Sequence, residues 1–187
     1  MQKEEQNLVE RIRMAVVSGN HDVLGQTVYD VDSILLGHES FPEELFLALL
    51  AIVASPEFQR MSKSWLLLDL FADNIDQLSE FQKTKLATSL EGVYQDITDS
   101  TTCFLAAELI GDCFGDQRAL DTFVKLKKIG VEVPRVLIPH GLEHFAKKTK
   151  DASLRARAIE QLISMKTDAS EKVREEVKIS LASLAAI

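Results

Sequence analysis

Apolar residues recur at the spacing of an α-helix along nearly the whole chain. Leu8, Ile12 and Ala15 form one apolar stripe, which ends near Gly19, and Leu24 begins a second one. Spacings of three and four residues place apolar side chains on one face of a helix. The alternation of apolar and polar residues that is typical of strands is nearly absent. The sequence therefore predicts an all-α protein.

Breaks in this periodicity divide the chain into about ten predicted helices. The first two end near residues 19 and 37, and a Ser-Pro pair at 55–56 ends the third. Ser40 and Glu43 have the spacing of a capping box, so we expect the third helix to begin there. It is apolar on all sides, which predicts a central position. The later helices are predicted at 63–78, 80–95, 101–114, 116–129, 134–149, 151–165 and 170–186.

The starts of the later helices are themselves periodic, at intervals of 33 to 37 residues. Periods of this length are typical of solenoid repeats. A shift of 39 residues aligns 64–73 with 103–112, so that aromatic, acidic and leucine positions coincide. We therefore expect a single domain over 1–187, with N-terminal helices in 1–60 and stacked helical hairpins in 61–187.

One segment resembles a known repeat family. Residues 106–120 read AAELIGDCFGDQRAL, and FVKL follows at 123–126. Small residues and leucine on a first helix, a Gly-Asp turn and an Arg-Ala-Leu start of a second helix are similar to a HEAT-like repeat of the phycobilisome-lyase type. The close match covers about 21 residues, and elsewhere only the apolar rhythm agrees. The resemblance implies an α-solenoid superhelix that binds other molecules, but a fold does not by itself assign a partner or a reaction.

Several protein classes are disfavoured by the composition. Residues 2–7 are polar or charged, and the longest apolar run, Leu45–Ala54, is half the length of a membrane span. Cys103 and Cys113 lie ten residues apart on one predicted helix, too far apart to form a disulfide. We expect a cytoplasmic protein whose two cysteines are reduced and lie in the core.

The sequence contains few candidate catalytic groups. It has no glycine-rich phosphate loop, no Gly-x-Ser-x-Gly elbow and no Cys-x-x-Cys pair. His140, Glu143 and His144 fit the His-x-x-Glu-His pattern of inverted zinc peptidases, but no supporting motif supplies a third ligand. We predict exposed or helix-start histidines, no metal, no cofactor and no enzymatic activity. An activity as a bilin lyase has only the name of the repeat in its favour.

The charge of the chain is distributed unevenly. Residues 1–117 contain 20 acidic and 7 basic residues, whereas residues 118–187 contain 9 acidic and 14 basic residues. No Lys or Arg occurs between Met14 and Gln59 or between Leu86 and Gln117. Soluble helices usually mix both signs and gain small ion-pair contributions, so this one-sided distribution indicates either a solubilising surface or a binding surface.

The predicted helix 63–78 concentrates this charge on one side. At 100° per residue, its three aspartates lie opposite Leu67 and Phe71. The 39-residue shift places further acids at equivalent positions, and we expect them to form one continuous negative patch in a stacked solenoid. Trp65 is either an interface anchor beside the patch or a residue that fills the groove between repeats. The candidate partner-binding residues are Asp69, Asp73, Asp76, Glu108, Asp112, Asp116 and Trp65.

Two classes of function agree with this pattern. In the first, the acidic patch docks a basic protein, as in a bacterial immunity protein that blocks a nuclease toxin; such surfaces give fast, salt-sensitive association. The alternative is a HEAT-like adaptor, or a protein that binds nucleic acid or phosphate with its basic last third, although a pI of about 5.0 argues against nucleic acid. The bases of that third are Lys125, Lys127, Lys128, Arg135, Lys147, Lys148, Lys150, Arg155 and Arg157.

Overall fold

The computed structural model describes residues 3–186, with the exception of the side chain of Asp116. Within these residues the protein is all-helical and contains no strand. The helices are α1 (Lys3–Ser18), α2 (His21–Leu35), α3 (Glu43–Val53), α4 (Pro56–Arg60), α5 (Trp65–Asp73), α6 (Glu80–Val93), α7 (Ser100–Phe114), α8 (Asp116–Leu126), α9 (Glu132–Val136), α10 (Ile138–Lys148), α11 (Ala152–Ser164) and α12 (Glu171–Ala185). Three 3-10 turns follow α5, α6 and α11, at Ile75–Gln77, Tyr94–Asp96 and Met165–Thr167.

The helices pack in two layers, as in an all-α helical repeat fold. In the front layer α2, α5, α7, α10 and α12 lie side by side in that order. The back layer contains α1, α3, α6, α8 and α11. Of these, α1 packs against α2, α6 packs against α7, and both α8 and α11 pack against α10. One connected core of buried apolar residues runs from Leu8 to Val177. The expectation of about ten helices is confirmed, since α4 and α9 are short five-residue pieces.

Hydrogen bonds between successive hairpins have the separation that the repeat predicts. The buried Ser64 and Thr102 hydroxyls lie 3.0 Å apart and join the start of α5 to α7. In the back layer, Lys125 of α8 donates to Glu91 of α6 at 2.7 Å. These partners are 38 and 34 residues apart in sequence. α5 and α7, which the 39-residue shift aligns with each other, lie in contact, as expected for equivalent helices of adjacent repeats.

The two cysteines lie in the core, as expected. Cys103 and Cys113 are buried free thiols on α7. Burial raises the pKa of both thiols to about 12. They remain protonated at neutral pH and act as small apolar side chains.

The predicted capping box of the third helix is wrong. α3 begins at Glu43 after Pro42, and no side chain caps it. The preceding residue, Phe41, is held by the neighbouring hairpin instead, because its N–H donates to Gln77 O and its carbonyl accepts from Gln82 Nε2, both at 3.0 Å. The capping box that does form joins Ser79 to Gln82 at the start of α6.

Two further expectations about helices require correction. α3 is not central: it lies in the back layer between α1 and α6, which cover its flanks and leave Leu47 and Ala51 exposed. The predicted helix 134–149 is two helices, α9 and α10, that meet at Leu137. Pro139 has no N–H to donate to the carbonyl of residue 135, so a continuous helix would lose a hydrogen bond there.

Candidate functional site

Three neighbouring helices of the front layer each present three residues at matching positions. Residues four apart lie on one face of a helix, so the three residues of a helix share a side. A shift of 39 residues relates the set on α5 to the set on α7, and a shift of 36 relates the set on α7 to the set on α10. The sets are Trp65, Asp69 and Asp73 on α5, Phe104, Glu108 and Asp112 on α7, and His140, His144 and Lys148 on α10.

The three side chains of α10 contact the three side chains of α7, and they pair with its two acids. The rings of Phe104 and His140 stack with their centroids 3.7 Å apart. Glu108 Oε1 lies 3.1 Å from His140 Nε2 and 3.3 Å from His144 Nδ1. Hydrogen bonds from His140 and from His144 lower the pKa of Glu108 to about 2, although partial burial opposes this shift.

His144 also contacts the second carboxylate of α7. Its Nε2 lies 2.8 Å from Asp112 Oδ1, while Asp112 Oδ2 accepts a hydrogen bond from Lys148 Nζ at 2.7 Å. Burial favours the neutral imidazole, but the hydrogen bonds to Asp112 and Glu108 outweigh it and raise the pKa of His144 to about 9. His144 is therefore an imidazolium at neutral pH and balances the charge of the two acids.

The equivalent acids on α5 have no such counter-ions. Asp69 and Asp73 line a groove of about 170 Å³ between α5 and α2, together with Tyr29 and Asp32. Neither α5 nor its neighbours α2 and α7 contain a Lys or an Arg. Partial burial raises the pKa of Asp69, and the charge of Asp73 raises it further. The side chains of Asp69 and Asp73 make no ion pair or hydrogen bond within the described residues.

The other side chains of this groove give it a partly apolar floor. Val28 and Leu70 line it from α2 and α5, and Asp32 is held by a hydrogen bond from Asn74 Nδ2 at 2.9 Å. The ring of Tyr29 is 67% exposed at the edge of the groove. A cationic side chain with an aliphatic stem matches both the acidic walls and the apolar floor.

The predicted continuous negative patch is therefore divided. Asp69 and Asp73 share the groove, but Asp76 lies in the 3-10 turn after α5 and does not line it. Glu108 and Asp112 face α10, where bases neutralise them. Trp65 is half-buried at the first position of α5. The side chain of Asp116 lies outside the described residues.

The bases of the last third are mostly engaged within the protein. Lys125 pairs with Glu91, Arg135 with Asp168 and Lys148 with Asp112. Four further bases bind other internal groups: Lys127 contacts Gln161 and Ser164, Lys147 contacts Glu143 and Ser183, Arg155 donates to the carbonyls of Ala146 and Thr149, and Arg157 contacts Gln117. Of the nine bases considered for nucleic-acid binding, only Lys128 and Lys150 have side chains that make no hydrogen bond or ion pair within the part of the chain that the structure describes.

The His-x-x-Glu-His pattern does not assemble as it does in a peptidase. Glu143 is buried and pairs with Lys147, whose Nζ donates a hydrogen bond to it at 2.6 Å. The carboxylates that contact the histidines come from α7 instead. Within residues 3–186, no group of three or more His, Cys, Asp or Glu side chains is arranged to hold a metal ion.

The predicted site does not include His140, His144 and Lys148. The expectation of exposed or helix-start histidines is wrong for His144, which lies in the middle of α10 with 16% of its side chain exposed. The signal that could have found these residues is the 36-residue shift, because it aligns an aromatic, an acid and an acid on α7 with an imidazole, an imidazole and an ammonium on α10.

Comparisons with family models, with curated proteins and with solved structures find no match to this chain. Among the described residues, no helix is both long enough and apolar enough to cross a membrane.

Proposed function

We propose that this protein is a non-catalytic protein-binding module whose acidic groove between α2 and α5 docks a basic partner. The form of this role that we favour is an inhibitor of the immunity type, which covers the basic surface of a partner such as a nuclease toxin. The partner supplies lysine or arginine side chains to Asp69 and Asp73, beside Trp65.

The contrast between α5 and α7 supports this proposal. Both helices carry an aromatic residue followed by two acids at four-residue intervals. On α7 the acids are neutralised within the chain by His144 and Lys148. On α5 they are left without a base, although Asp69 is partly buried in the groove. Repulsion between Asp69 and Asp73 costs about 0.2–0.5 kcal/mol, and an external cation relieves it.

The alternative use of the basic last third receives less support. A protein that binds nucleic acid needs basic side chains that are free to contact phosphates. Here most of those bases already bind carboxylates, carbonyls or amides of the same chain. Releasing them would break contacts that hold the hairpins together.

Binding of an oligolysine peptide tests the groove, with the fluorescence of Trp65 as the signal. Trp65 is the only tryptophan and lies one turn before Asp69. We expect a salt-sensitive change in fluorescence that saturates with peptide. The double variant Asp69→Asn/Asp73→Asn should bind about tenfold more weakly, because the two charges together contribute about 1.4 kcal/mol.

A matched control separates the groove from the net charge. Asp96→Asn/Glu160→Gln removes two exposed acids outside the groove, and should weaken binding less than twofold. Equal losses in the two variants would mean that only the overall negative charge attracts the peptide, and would contradict the proposed site.

Capture from a host lysate addresses the identity of the partner. A basic protein that the wild type retains at low salt, and that Asp69→Asn/Asp73→Asn does not retain, is the expected result. Retention of nucleic acid by both forms would instead favour the alternative function.

A further inference from the structure

α10 is a helix that depends on tertiary contacts for its position. It spans eleven residues and contains a glycine at its fourth position, Gly141. Glycine inside a helix lowers helix stability by about 1 kcal/mol relative to alanine, and isolated helices of this length are marginal in water. What holds α10 in place is therefore its packing, including the ionic contacts that it makes with α7.

The centre of these contacts is an imidazole that bonds through both ring nitrogens. His144 Nδ1 lies 3.3 Å from Glu108 Oε1, and His144 Nε2 lies 2.8 Å from Asp112 Oδ1. A neutral imidazole has one N–H and one acceptor nitrogen, so it can donate to only one of the two carboxylates. With the second proton it donates to both, and it carries the positive charge that they balance.

Charged groups of the other elements do not replace this contact. On α10 itself, His140 shares Glu108 and Lys148 shares Asp112. From α12, Glu176 faces His140; burial raises the pKa of Glu176, and the charge of His140 only partly opposes this shift. The bases of the remaining neighbours bind elsewhere: Arg118 of α8 contacts Thr88, Arg135 of α9 contacts Asp168, and Arg155 of α11 contacts backbone carbonyls at the end of α10.

We propose that His144, Glu108 and Asp112 form a proton-operated latch that holds α10 against α7 when the imidazole is doubly protonated and loosens α10 when it loses one proton. The pKa of His144 is about 9 in the folded protein, against 6.5 for a free imidazole. The contribution of the latch to stability is thus fully present between about pH 4.5, the ordinary pKa of Glu108, and pH 6.5; it decreases as the pH rises further and is lost above about pH 9. At pH 7 the ring in the folded protein still holds its second proton, but the stabilising contribution is already declining, because the imidazole of the unfolded chain loses its proton above pH 6.5.

NMR titration of the imidazole resonances tests the protonation of His144 directly. We expect the His144 ring to titrate at least one pH unit above 6.5. A midpoint at or below 6.5 would overturn the proposal, because the ring would then be neutral at pH 7 and could bond only one carboxylate.

Amide hydrogen exchange tests whether α10 responds. After correction for the intrinsic rates, protection of the α10 amides should fall by roughly ten- to hundredfold between pH 6.5 and 9, since each pH unit between the two pKa values changes the equilibrium by up to tenfold. Amides of α2, which does not contact the latch, serve as the internal reference.

Two variants assign the effect. His144→Gln cannot be protonated, so its α10 protection should be low and independent of pH, whereas His38→Gln, in the exposed loop after α2, should behave as the wild type. If His144→Gln retained the pH dependence, the latch would be wrong. If His144→Gln did not fold, Asp112→Asn removes one of the two carboxylates and should lower the His144 midpoint; an unchanged midpoint would contradict the proposal.

Discussion

Gly141 shows how a single residue can be fixed by a neighbour that is distant in sequence. It lies inside α10, where alanine would favour the helix. A Cβ atom at this position would lie 2.5 Å from Phe123 Cε1 and 3.0 Å from the Cβ of Ala107. The ring of Phe123 is buried and cannot move away without displacing the core. The glycine is thus required by the close approach of α10 to α7 and α8.

We predict that Gly141→Ala destabilises the protein by up to about 2 kcal/mol. The overpacking cost, about 1–3 kcal/mol, exceeds the gain in helix propensity, about 1 kcal/mol. The control is Gly92→Ala in α6, where a Cβ would meet no atom within 4 Å; we expect it to be neutral or to stabilise by about 0.5 kcal/mol. Urea unfolding of both variants measures the difference. If Gly141→Ala unfolded at the same urea concentration as the wild type, the ring of Phe123 would have to shift away from α10 at little cost in free energy.

At the scale of elements, α5 and α7 have similar sequences and opposite electrostatic surroundings. Asp73 and Asp112 correspond under the 39-residue shift, and each lies near the C-terminal end of its helix. Asp73 is exposed, whereas Asp112 bonds to His144 and Lys148 and has 17% of its side chain exposed. The same substitution should therefore have different consequences at the two positions.

We predict that Asp112→Lys destabilises the protein by about 2–4 kcal/mol, because it leaves His144 beside two like charges. Asp73→Lys should change the free energy of unfolding by less than about 0.5 kcal/mol, and in the stabilising direction, since it relieves the repulsion of Asp69 and suits the C-terminal end of a helix. Chemical denaturation of both variants at pH 7 and one salt concentration checks the pair. Equal losses in the free energy of unfolding for the two variants would mean that Asp112 is no better paired with bases than Asp73.

At the scale of the whole molecule, the formal net charge of −8 results from two unlike parts. The first 117 residues have an excess of 13 negative charges, and the remainder has an excess of 5 positive charges. Contacts such as Glu91 with Lys125 and Asp112 with Lys148 join the two parts. Acidic residues outnumber basic residues almost three to one in the first part, so mutual repulsion opposes folding there.

We predict that the Tm rises by about 2–4 °C when NaCl is increased from about 10 to about 150 mM. The added salt shortens the screening length from about 30 to about 8 Å and so weakens the repulsion between the acids. A gain of about 1 kcal/mol in the free energy of unfolding shifts the Tm of a protein of this size by about 2–4 °C. The triple variant Asp69→Asn/Asp73→Asn/Asp76→Asn should show a smaller rise. A Tm that falls with salt would mean that the attractive pairs between the two parts outweigh the repulsion.

The sequence alone predicts most of the fold. The helical class, about ten helices and the pairing of α5 with α7 follow from apolar periodicity, which is a local property of the chain. Errors occur where a tertiary contact competes with a local signal. Phe41 bonds to the neighbouring hairpin, so Ser40 does not cap α3. Leu47 remains exposed because α1 and α6 pack against other sides of α3.

The candidate site was predictable only in part. The acids on α5 and α7, with Trp65, are visible as a one-sided charge at helical spacing. Whether each acid is free or paired is not a property of its own helix, because it depends on which residues of a distant segment lie within about 3 Å. His144 and Lys148 occur more than 30 residues after the acids that they neutralise. Sequence spacing thus determined where the charges lie on each helix, and only the packing of α10 against α7 decided which of them stay available to a partner.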